Sequence, residues 1–399
     1  MSTCPKVVLR RGKTDSVRRF HPWIFSGAIK RMDDGTGEGD LVEVFSEDGE
    51  YLALGHYAPG SIAVRIVGFE RVSDVSTLWD ARFRNAYTLR KTAGLAENAA
   101  TNTYRLINAE GDGMPGLIVD WYNGTAVIQT HSEGMRREVQ TFAEVLGAIY
   151  GGRLRAVYHK PHSSKESGKA GGYYPFGEKT GGVITENGHR FNVDWERGQK
   201  TGFFLDQRDN RALLSGYARE RRVLNTFCYS GGFSVYASGA GASLVHSVDS
   251  SARAIEWTDE NIALNEKFTS NKIGGCEHQS FAADVFDFLH DAADNYYDVI
   301  VLDPPAFAKN ISARHQAVQA YRRLNLAALK KVAPGGIVFT FSCSQAVGPG
   351  AFTGAVTAAA IESGRNIRIL HHLFQPADHP VSIFHPEGLY LKGLALTVR

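Results

Sequence analysis

The second half of the chain alternates short apolar segments with longer segments of helical periodicity. Apolar strands that alternate with amphipathic helices form a parallel sheet covered by helices on both faces. The alternation therefore predicts an α/β fold with a doubly wound parallel sheet from about residue 197 onward. The strand-like run at residues 388–399 is expected to close this sheet as an antiparallel hairpin. The predicted strands are residues 222–227, 243–249, 298–303 and 336–341, and the predicted helices are residues 233–238, 252–265 and 315–332.

The first half has a different organisation. Short strand-like runs separated by Gly, Asp and Pro turns indicate a small β-rich module, and the runs are residues 6–9, 40–45, 51–55 and 62–66. A helical pattern, two strands joined by an Asn-Gly turn, and another helix follow, near residues 73–91, 116–120, 125–129 and 136–150. Residues 161–182 are rich in Gly, Ser and Lys and are predicted to form a mobile loop. The expected domains are residues 1–72, 73–196 and 197–399.

Several classes of protein are excluded by length and composition. A chain of 399 residues is long enough for two or three domains. No run approaches the roughly 20 consecutive apolar residues of a membrane helix, and residues 1–11 lack the apolar core of a secretory signal. The four cysteines are too scattered for a disulfide scaffold or a CxxC zinc site. His371, His372 and His379 have no metal-ligand partners at suggestive spacing, so no metal is expected. These features favour a cytoplasmic protein in a reducing compartment.

The net charge of +2 conceals a basic cluster near the N-terminus. Residues 1–31 carry eight Lys or Arg residues and one acidic residue, whereas acids dominate from Asp33 to Glu50. Such a cluster can bind nucleic-acid phosphates, because neutralising phosphates releases counterions. A solvated basic face is the alternative, so charge alone does not predict RNA binding. The candidate phosphate-binding residues are Arg10, Arg11, Lys13, Arg18 and Arg19.

The candidate ligand site lies where the predicted strands end, since a doubly wound sheet binds ligands at the carboxyl ends of its strands. The first strand ends in a turn whose adjacent glycines, Gly231 and Gly232, permit positive φ and close backbone approach. Asp249 ends the second strand, where a carboxylate can accept hydrogen bonds from both ribose hydroxyls of a nucleoside. Asp284 ends a third strand and suits the exocyclic amine of adenine. The absence of GxGxxG disfavours NAD, and a tight turn with a helix N-cap is the structural alternative.

The fourth strand ends in Asp303-Pro304-Pro305. Two prolines fix a rigid turn that directs the Asp303 side chain and backbone carbonyl into the cleft. A loop this stiff beside a nucleoside site suits the binding of a planar substrate. A plain strand-terminating turn is the alternative interpretation.

Together these residues resemble the class I S-adenosylmethionine-dependent methyltransferases. Further segments extend the resemblance over nearly the whole chain and follow one another in order: residues 21–29 (HPWIFSGAI), 39–44 (GDLVEV), 104–116 (YRLINAEGDGMPG), 200–211 (KTGFFLDQRDNR), 378–380 (DHP) and 386–393 (PEGLYLKG). With these segments the chain resembles the bacterial large-subunit ribosomal RNA (cytosine-5)-methyltransferase family, which carries an N-terminal PUA domain. The order of several moderately specific motifs makes the resemblance strong.

The resemblance implies an RNA-binding PUA-like domain, a central α/β domain and a Rossmann-like methyltransferase domain. It implies S-adenosylmethionine as the cofactor and large-subunit ribosomal RNA as the partner, with no membrane. A homodimer is an oligomeric state that it allows, although the sequence does not determine the number of subunits. The implied cofactor-binding residues are Phe203, Asp206, Gln207, Arg208, Phe227, Tyr229, Ser230, Gly231, Gly232, Asp249, Asp284 and Asp303.

Methylation of carbon 5 of cytosine requires activation, because that carbon is a poor nucleophile. Addition of a thiolate to carbon 6 makes carbon 5 enamine-like, so that it can attack a sulfonium methyl group. Cys343 lies just past the predicted fifth strand, and the resemblance identifies its position as that of the family's nucleophile. Asp303 is expected to bind the amino edge and ring nitrogen of the base, which favours protonation as the thiolate adds. The base that removes the carbon-5 proton is not identified.

Other residues near the predicted cleft have less reactive interpretations. A lone cysteine after a strand is commonly a small buried hydrophobe. Cys228 lies in the cofactor turn, where its backbone is expected to matter more than its thiol, and Cys4 and Cys276 lie outside the predicted cleft. The segment Tyr321-Arg322-Arg323 either contacts RNA phosphate or forms a solvated helix face.

Two other functions compete with methylation of carbon 5 of cytosine. An N-methyltransferase acting on guanine or adenine would use the loop at Asp303 and need no thiol, but Ser342-Cys343-Ser344 favours carbon 5. A non-catalytic RNA-binding ribosome-assembly factor would not need acids at the ends of three neighbouring strands. A methyltransferase of small molecules fits poorly with a separate basic PUA-like module.

Overall fold

The computed structural model of the protein describes residues 4–161, 171–266, 275–308 and 310–399. These residues form two compact units. The first unit comprises the described residues of Met1–Ile184, Val193–Leu205 and Ala377–Gly388, and the second comprises those of Thr185–Asn192, Asp206–Pro376 and Leu389–Arg399. No helix among the described residues is long and apolar enough to cross a membrane. The division into three domains, with boundaries near residues 72 and 196, stays a prediction.

The first unit begins with a six-stranded sheet and one short helix. The spatial order of the strands is β2-β6-β5-β4-β1-β3, and β1 and β4 are parallel while the other neighbours are antiparallel. The predicted β-rich module is thus present, although the short strands β2 and β3 were not predicted. The elements are β1 (Lys6–Leu9), α1 (Asp15–Arg18), β2 (Trp23–Phe25), β3 (Ile29–Met32), β4 (Leu41–Phe45), β5 (Tyr51–Tyr57) and β6 (Ile62–Gly68).

The first unit continues with a five-stranded sheet and three helices. Its strand order is β11-β10-β9-β8-β7, and positive φ angles at Asn123 (43°) and Gly124 (98°) form the predicted hairpin turn between β8 and β9. The predicted mobile loop over residues 161–182 is wrong for Tyr173–Gly177, because these residues form strand β11. Residues 162–170 lie outside the described part of the chain. The elements are α2 (Val75–Thr92), β7 (Thr103–Asn108), β8 (Leu117–Tyr122), β9 (Thr125–Thr130), α3 (Glu133–Arg137), α4 (Val139–Tyr150), β10 (Ala156–Lys160) and β11 (Tyr173–Gly177).

The two sheets of the first unit share a hydrophobic core. Leu54 and Val67 of the N-terminal sheet belong to the same cluster as the fully buried Trp79 and Phe83 of α2. Removing the N-terminal sheet would therefore expose large side chains of the following segment. A deletion of residues 1–72 consequently tests folding as well as RNA binding, and point substitutions are the cleaner experiment.

The second unit contains the predicted doubly wound sheet. Its strand order is β16-β15-β14-β17-β18-β20-β19, with the first five strands parallel and β20 antiparallel to both of its neighbours. The C-terminal strand is antiparallel, as predicted, and pairs with β19 at the edge of the sheet. It is also inserted beside β18, a neighbour that the sequence did not predict. The elements are α5 (Arg208–Ala218), β14 (Arg222–Thr226), α6 (Gly232–Gly239), β15 (Leu244–Asp249), α7 (Ala252–Glu266), β16 (Glu277–Ala282), α8 (Val285–Asp291), β17 (Tyr297–Leu302), α9 (Arg314–Lys331), β18 (Val332–Ser342), α10 (Pro349–Ser363), β19 (Ile367–Leu373) and β20 (Lys392–Val398). A separate two-stranded sheet pairs β12 (Val183–Glu186) with β13 (His189–Asn192).

The central strands of this sheet are apolar on both faces, as a parallel sheet between two helical layers requires. In β17, Ile300 and Leu302 point to one core, while Val299 and Val301 belong to the core on the opposite face. All four side chains are fully buried. Both helical layers thus hold the sheet rigid, and the strand ends that form the candidate site rest on this support.

A buried histidine makes the stability of the first unit depend on pH. His56 in β5 is 4% exposed and packs against the ring of Trp79, with the two ring centroids 6.1 Å apart. Burial, with a smaller contribution from the charge on Arg137, lowers the pKa of His56 to about 4. As the pH falls below about 6.5, the unfolded chain binds a proton at this residue and the folded chain does not. Stability is therefore lost between about pH 6.5 and 4.

We expect the free energy of unfolding to fall by about 2 kcal/mol more in the wild type than in His56→Gln between pH 7.5 and 5.0. Urea unfolding at the two pH values measures this difference. His372→Gln is the control, because His372 is exposed on β19 and should behave like the wild type. An equal loss in the wild type and His56→Gln would contradict the assignment.

Candidate active site

The predicted site residues of the second unit lie at one edge of its sheet. Strands β14 to β18 are parallel, and Thr226, the last residue of β14, pairs with Val248 on one side and Leu302 on the other. The residues that follow these positions, Phe227, Asp249 and Asp303, therefore lie level with one another at the carboxyl ends. Between β14 and β17 the strand order changes direction, which is where open α/β sheets bind ligands.

The turn after β14 has a strained backbone. Phe227 and Tyr229 have positive φ angles of 54° and 51°, and Gly231 has a φ of 75°. Positive φ is costly for bulky residues and persists only where the surroundings enforce it, which is frequent at ligand-binding sites. A Cβ atom on Gly231 would lie 2.8 Å from the side chain of Thr258, so glycine is required there for two independent reasons.

Helix α7 and the end of β15 hold this turn in place. Thr258 donates a hydrogen bond to the carbonyl of Tyr229 (3.1 Å), and Asn261 donates to that of Ser230 (2.8 Å). Asp249 accepts from the backbone N–H groups of Tyr229 (3.0 Å) and Ser251 (2.9 Å). Each carboxylate oxygen has two lone pairs, so Asp249 can accept further hydrogen bonds from a ligand.

Asp284 follows β16 and is exposed. Its Oδ1 accepts hydrogen bonds from the backbone N–H groups of Phe286 (2.8 Å) and Asp287 (3.2 Å), so Asp284 is the N-cap of α8. One carboxylate oxygen thus stabilises the helix, and the other can accept from an amine. The capping and ligand-binding interpretations are compatible at this residue.

The loop after β17 is connected to the loop that carries Cys343. The hydroxyl of Ser344 donates a hydrogen bond to the carbonyl of Ala308 (2.7 Å), and the rings of Phe307 and Tyr321 lie 4.8 Å apart. Tyr321 is fully buried, so contact with RNA phosphate is wrong for this residue. Burial, with smaller contributions from negative charge on Cys343 and Asp303, raises the pKa of Tyr321 to about 12. The Tyr321 hydroxyl therefore stays protonated beside both predicted catalytic residues.

Lys392 is a residue of this site that the sequence did not single out. It begins β20 opposite Ser342, the last residue of β18, and its Nζ donates a hydrogen bond to the carbonyl of Ser344 (2.6 Å). The side chain is buried, and burial lowers the pKa of Lys392 to about 8, whereas a thiolate at Cys343 acts in the opposite direction. The site thus contains a cationic group next to the predicted nucleophile, which is the usual way to favour a thiolate.

The four cysteines differ in their surroundings. Cys343 is partly exposed, and Cys228 is buried in the turn after β14, where its Sγ lies 3.5 Å from Oγ1 of Thr258. Burial raises the pKa of Cys228 to about 12, which disfavours its thiolate. Burial also raises the pKa of Cys4 and of Cys276. Accessibility and the neighbouring lysine therefore favour Cys343 as the reactive thiol.

The segment at residues 203–208 is buried except for the half-buried Phe204. Asp206 accepts a hydrogen bond from the hydroxyl of Tyr390 (2.7 Å), and Gln207 accepts from Asn210 (2.6 Å). The guanidinium of Arg208 lies 3.5 Å from the carboxylate of Glu186. Phe203 belongs to the first unit, and Asp206, Gln207 and Arg208 belong to the second.

The basic residues of the N-terminal sheet are exposed, as phosphate binding requires. Arg10 donates from its side chain to the carbonyl of Ile29 (3.1 Å), which fixes part of its orientation. Arg18 forms an ion pair with Glu50, which reduces the positive charge that it can offer. The other predicted residues of this group, also exposed, are Arg11, Lys13 and Arg19.

Two protein families match the chain. Residues 105–381 match the family described as S-adenosylmethionine-dependent methyltransferase, and residues 7–69 match a PUA-like domain. Two curated relatives are both named ribosomal RNA large subunit methyltransferase I. The one from Klebsiella pneumoniae (strain 342) is 37% identical over 100% of this chain and 99% of its own. The one from Shewanella frigidimarina (strain NCIMB 400) is 38% identical over 98% of this chain and 99% of its own.

Solved structures share the fold. The crystal structure of SMU.776, described as a methyltransferase and complexed with SAH, covers 98% of this chain and 99% of its own with a TM-score of 0.82 and 22% identity. A SAM-dependent methyltransferase from Streptococcus mutans has the same coverage and TM-score with 21% identity. These similarities confirm the predicted α/β methyltransferase fold preceded by a PUA-like β domain.

Proposed function

Because this chain belongs to the S-adenosylmethionine-dependent methyltransferase family and carries a PUA-like domain, we propose that it methylates carbon 5 of a cytosine in 23S ribosomal RNA. The names of the curated relatives support large-subunit ribosomal RNA as the substrate. The neighbourhood of Cys343 and Lys392 carries the choice of carbon 5, since a methyltransferase acting on a ring or amino nitrogen needs no thiol. Cytoplasmic location and a homodimer stay predictions.

The residues at the strand ends fit an adenosyl cofactor. The backbone turn at Gly231 is rigid and has no room for a side chain, which allows close approach of a ligand. The carboxylates of Asp249 and Asp284 each retain the capacity to accept further hydrogen bonds, from the ribose hydroxyls and the adenine amine respectively. We propose that the turn at residues 227–232 lies against the adenosyl group.

In the proposed mechanism the thiolate of Cys343 forms a bond to carbon 6 of the cytosine. Asp303 holds the amino edge of the base, and the ring nitrogen takes up a proton. When bound, S-adenosylmethionine would supply an electrophilic methyl group to carbon 5 and would be left as S-adenosylhomocysteine. A base then removes the proton from carbon 5, the bond between Sγ and carbon 6 breaks, and the ring nitrogen gives back its proton, so that the aromatic ring and the thiolate are restored. Lys392 balances the charge on Sγ before and after the reaction. The target cytosine must be unpaired or extruded from its stack to be reached.

Trapping with 5-fluorocytosine tests this proposal. Fluorine at carbon 5 cannot leave as a cation, so the protein should remain attached to ribosomal RNA fragments that carry the analogue. The attachment is measured as a shift on a denaturing gel, and peptide mass spectrometry should identify Cys343. Methyl transfer to the unmodified RNA without any adduct on the analogue would favour methylation of a nitrogen instead.

Asp249 provides a test of the cofactor site. We expect Asp249→Ala to weaken cofactor binding about thirtyfold, because charge-assisted hydrogen bonds to the ribose are lost. Asp249→Asn keeps one acceptor oxygen and should lose less. Calorimetry with S-adenosylhomocysteine measures both, and Asp291→Ala, an exposed acid at the end of α8, is the control. Unchanged affinity in Asp249→Ala would remove this residue from the cofactor site.

The exposed basic residues provide a test of RNA binding. We expect the combined variant Arg10→Ala, Arg11→Ala, Lys13→Ala and Arg19→Ala to bind ribosomal RNA more weakly and with a flatter dependence on salt. Each lost phosphate contact lowers the slope of log K against log salt by about 0.7 to 0.9. Filter binding at several salt concentrations measures the slope. Arg84→Ala with Arg136→Ala is the control, because both residues are exposed and already paired with acids. An unchanged slope would identify a solvated basic face.

A further inference from the structure

Two histidines and a glutamate from distant parts of the chain converge in the first unit. His21 precedes β2, whereas His385 and Glu387 lie in the segment Ala377–Gly388. One potential ligand atom from each residue lies within 4.8 Å of the other two. Nε2 of His21 is 3.7 Å from Oε1 of Glu387, and Nε2 of His385 is 3.8 Å from Oε2. Glu387 thus has one imidazole nitrogen near each oxygen, at distances beyond a normal hydrogen bond.

His385 supplies an independent indication that this cluster binds something. Its side chain is 3% exposed, and its Nε2 has no hydrogen-bond partner among the described residues. A buried polar atom without a partner is costly, and a bound ligand, water or ion would satisfy it. The ring is fixed by Trp23, whose indole lies 4.3 Å away between ring centroids. The unpartnered nitrogen is therefore held near Glu387.

We propose that His21, His385 and Glu387 bind one divalent transition-metal ion, with Zn²⁺ the best match to this ligand set. Two imidazoles and a carboxylate are a known three-ligand set for zinc, which leaves a fourth position for water. Ligand atoms around a tetrahedral zinc ion lie about 3.3 Å apart, given metal–ligand distances of about 2.0 to 2.2 Å. The distances of 3.7 and 3.8 Å from the imidazole nitrogens to Glu387 exceed this value by about half an ångström, and the three ligand atoms lie within 4.8 Å of one another. Metal binding would therefore draw the two imidazoles and the half-exposed side chain of Glu387 closer together.

The surroundings suit a cation. Nδ1 of His21 lies 3.2 Å from both the carbonyl and the backbone N–H of Trp23. In the tautomer in which Nδ1 donates to the carbonyl, the Nε2 lone pair is left for a metal. Metal-binding histidines usually donate their other N–H in this way. Glu110 accepts a hydrogen bond from the indole of Trp23 (2.8 Å) and adds a second negative charge near His385.

The site would connect the start of β2 with a segment more than 350 residues later in the chain. A bound ion stabilises the folded state in proportion to the logarithm of its concentration over its dissociation constant. We therefore assign the ion a structural role, which is to hold the segment Ala377–Gly388 against the N-terminal sheet. This inference is independent of the proposed methylation chemistry.

Titration of the full chain with Zn²⁺, after removal of metals with a chelator, tests the proposal. We expect one equivalent to bind by calorimetry and the melting temperature to rise with added Zn²⁺. His21→Ala, His385→Ala and Glu387→Gln should each weaken binding at least about tenfold and abolish the rise in melting temperature. The exposed His372→Ala is the matched control and should bind like the wild type.

Co²⁺ serves as a spectroscopic probe of the ligands. Its bound spectrum should show visible ligand-field bands without a cobalt–thiolate charge-transfer band, which excludes a site at a cysteine. If His385→Ala fails to fold, Glu387→Gln still decides the question, because Glu387 is 54% exposed. No saturable binding, or binding that persists in Glu387→Gln and His21→Ala, would overturn the proposal and leave a pair of histidines that interact with Glu387 only when protonated.

Discussion

Cys343→Ala should reduce methyl transfer to ribosomal RNA by at least about a thousandfold, while the affinities for S-adenosylhomocysteine and for RNA stay within a few fold of the wild type. Removal of a nucleophile that forms a covalent intermediate has effects of this size or larger. Cys343 is partly exposed, so loss of its Sγ leaves no large cavity in the sheet. Radioactive methyl transfer to ribosomal RNA measures the rate, and calorimetry and filter binding measure the two affinities.

Cys228→Ala is the matched control for this experiment. Cys228 lies at the same edge of the sheet but is buried, and burial raises the pKa of its thiol to about 12. The variant should keep most of its activity and should still form the adduct with 5-fluorocytosine. If Cys343→Ala kept substantial activity, the covalent mechanism would be wrong, and methylation of a guanine or adenine nitrogen at the loop of Asp303 would replace it.

Local periodicity was sufficient to predict four of the five parallel strands, β14, β15, β17 and β18, because each contains a largely apolar run. β17 is an example, with side chains that enter the two cores in turn. The fifth, β16, has the mostly polar sequence EHQSFA, and only the expected place of Asp284 at a strand end indicated it. Short elements were missed for an equally physical reason. β2 has three residues, too few for a period of two to emerge, and its pairing with β6 comes from tertiary packing.

Helix α10 was also missed, although its ends carried a signal. Pro349 occupies its first turn, and Gly364 at its end has a φ of 67°. Proline at the start and glycine just past the end are typical of a helix. The interior is rich in small residues and has only a few large apolar side chains, so no clear amphipathic stripe marks it. Here the capping residues were more informative than the periodicity.

The candidate site was predictable to the extent that it depends on strand ends. Asp249, Asp284 and Asp303 each lie at or within two residues of the end of a strand, and parallel strands bring their carboxyl ends to one edge. Lys392 is different, because it reaches Cys343 only through the antiparallel pairing of Lys392 with Ser342. The sequence predicted a C-terminal strand but not its neighbour, and without that neighbour no spacing relates these two residues. Register between distant strands is set by tertiary packing, which local patterns do not report.

The position of β20 beside β18 also requires a glycine at residue 393 for steric reasons. A Cβ atom on Gly393 would lie 2.4 Å from the ring of Phe341, so only glycine lets the strand approach β18 this closely. The close approach of β20 to β18 thereby sets the distance between Lys392, which precedes Gly393, and the loop that follows β18. A glycine inside a strand was visible in the sequence, and close backbone approach is one of its standard meanings.

Lys392→Met should lower the rate of methyl transfer about a hundredfold at pH 7, because the ammonium that favours the Cys343 thiolate is lost. Lys392 has a pKa of about 8, so its positive charge is present below that pH and disappears above it. The ratio of wild-type to variant activity should therefore be largest below pH 8 and should decline as the pH rises further. Rates of methyl transfer measured from pH 6.5 to about 9.5 test both the size and the direction of the effect.

Lys331→Met separates this role from a structural one. Lys331 is also buried in the second unit, and its Nζ donates to the carbonyl of Ala292 (2.6 Å) much as Lys392 donates to that of Ser344. It lies at the amino-terminal end of β18, away from Cys343, so its loss should lower stability without a change in the pH profile. Lys392→Arg keeps the positive charge and should keep the shape of the profile at a lower rate. If Lys392→Met lowered the rate equally at every pH, Lys392 would serve only to support the loop at Ser344, and the thiolate of Cys343 would need another source of stabilisation.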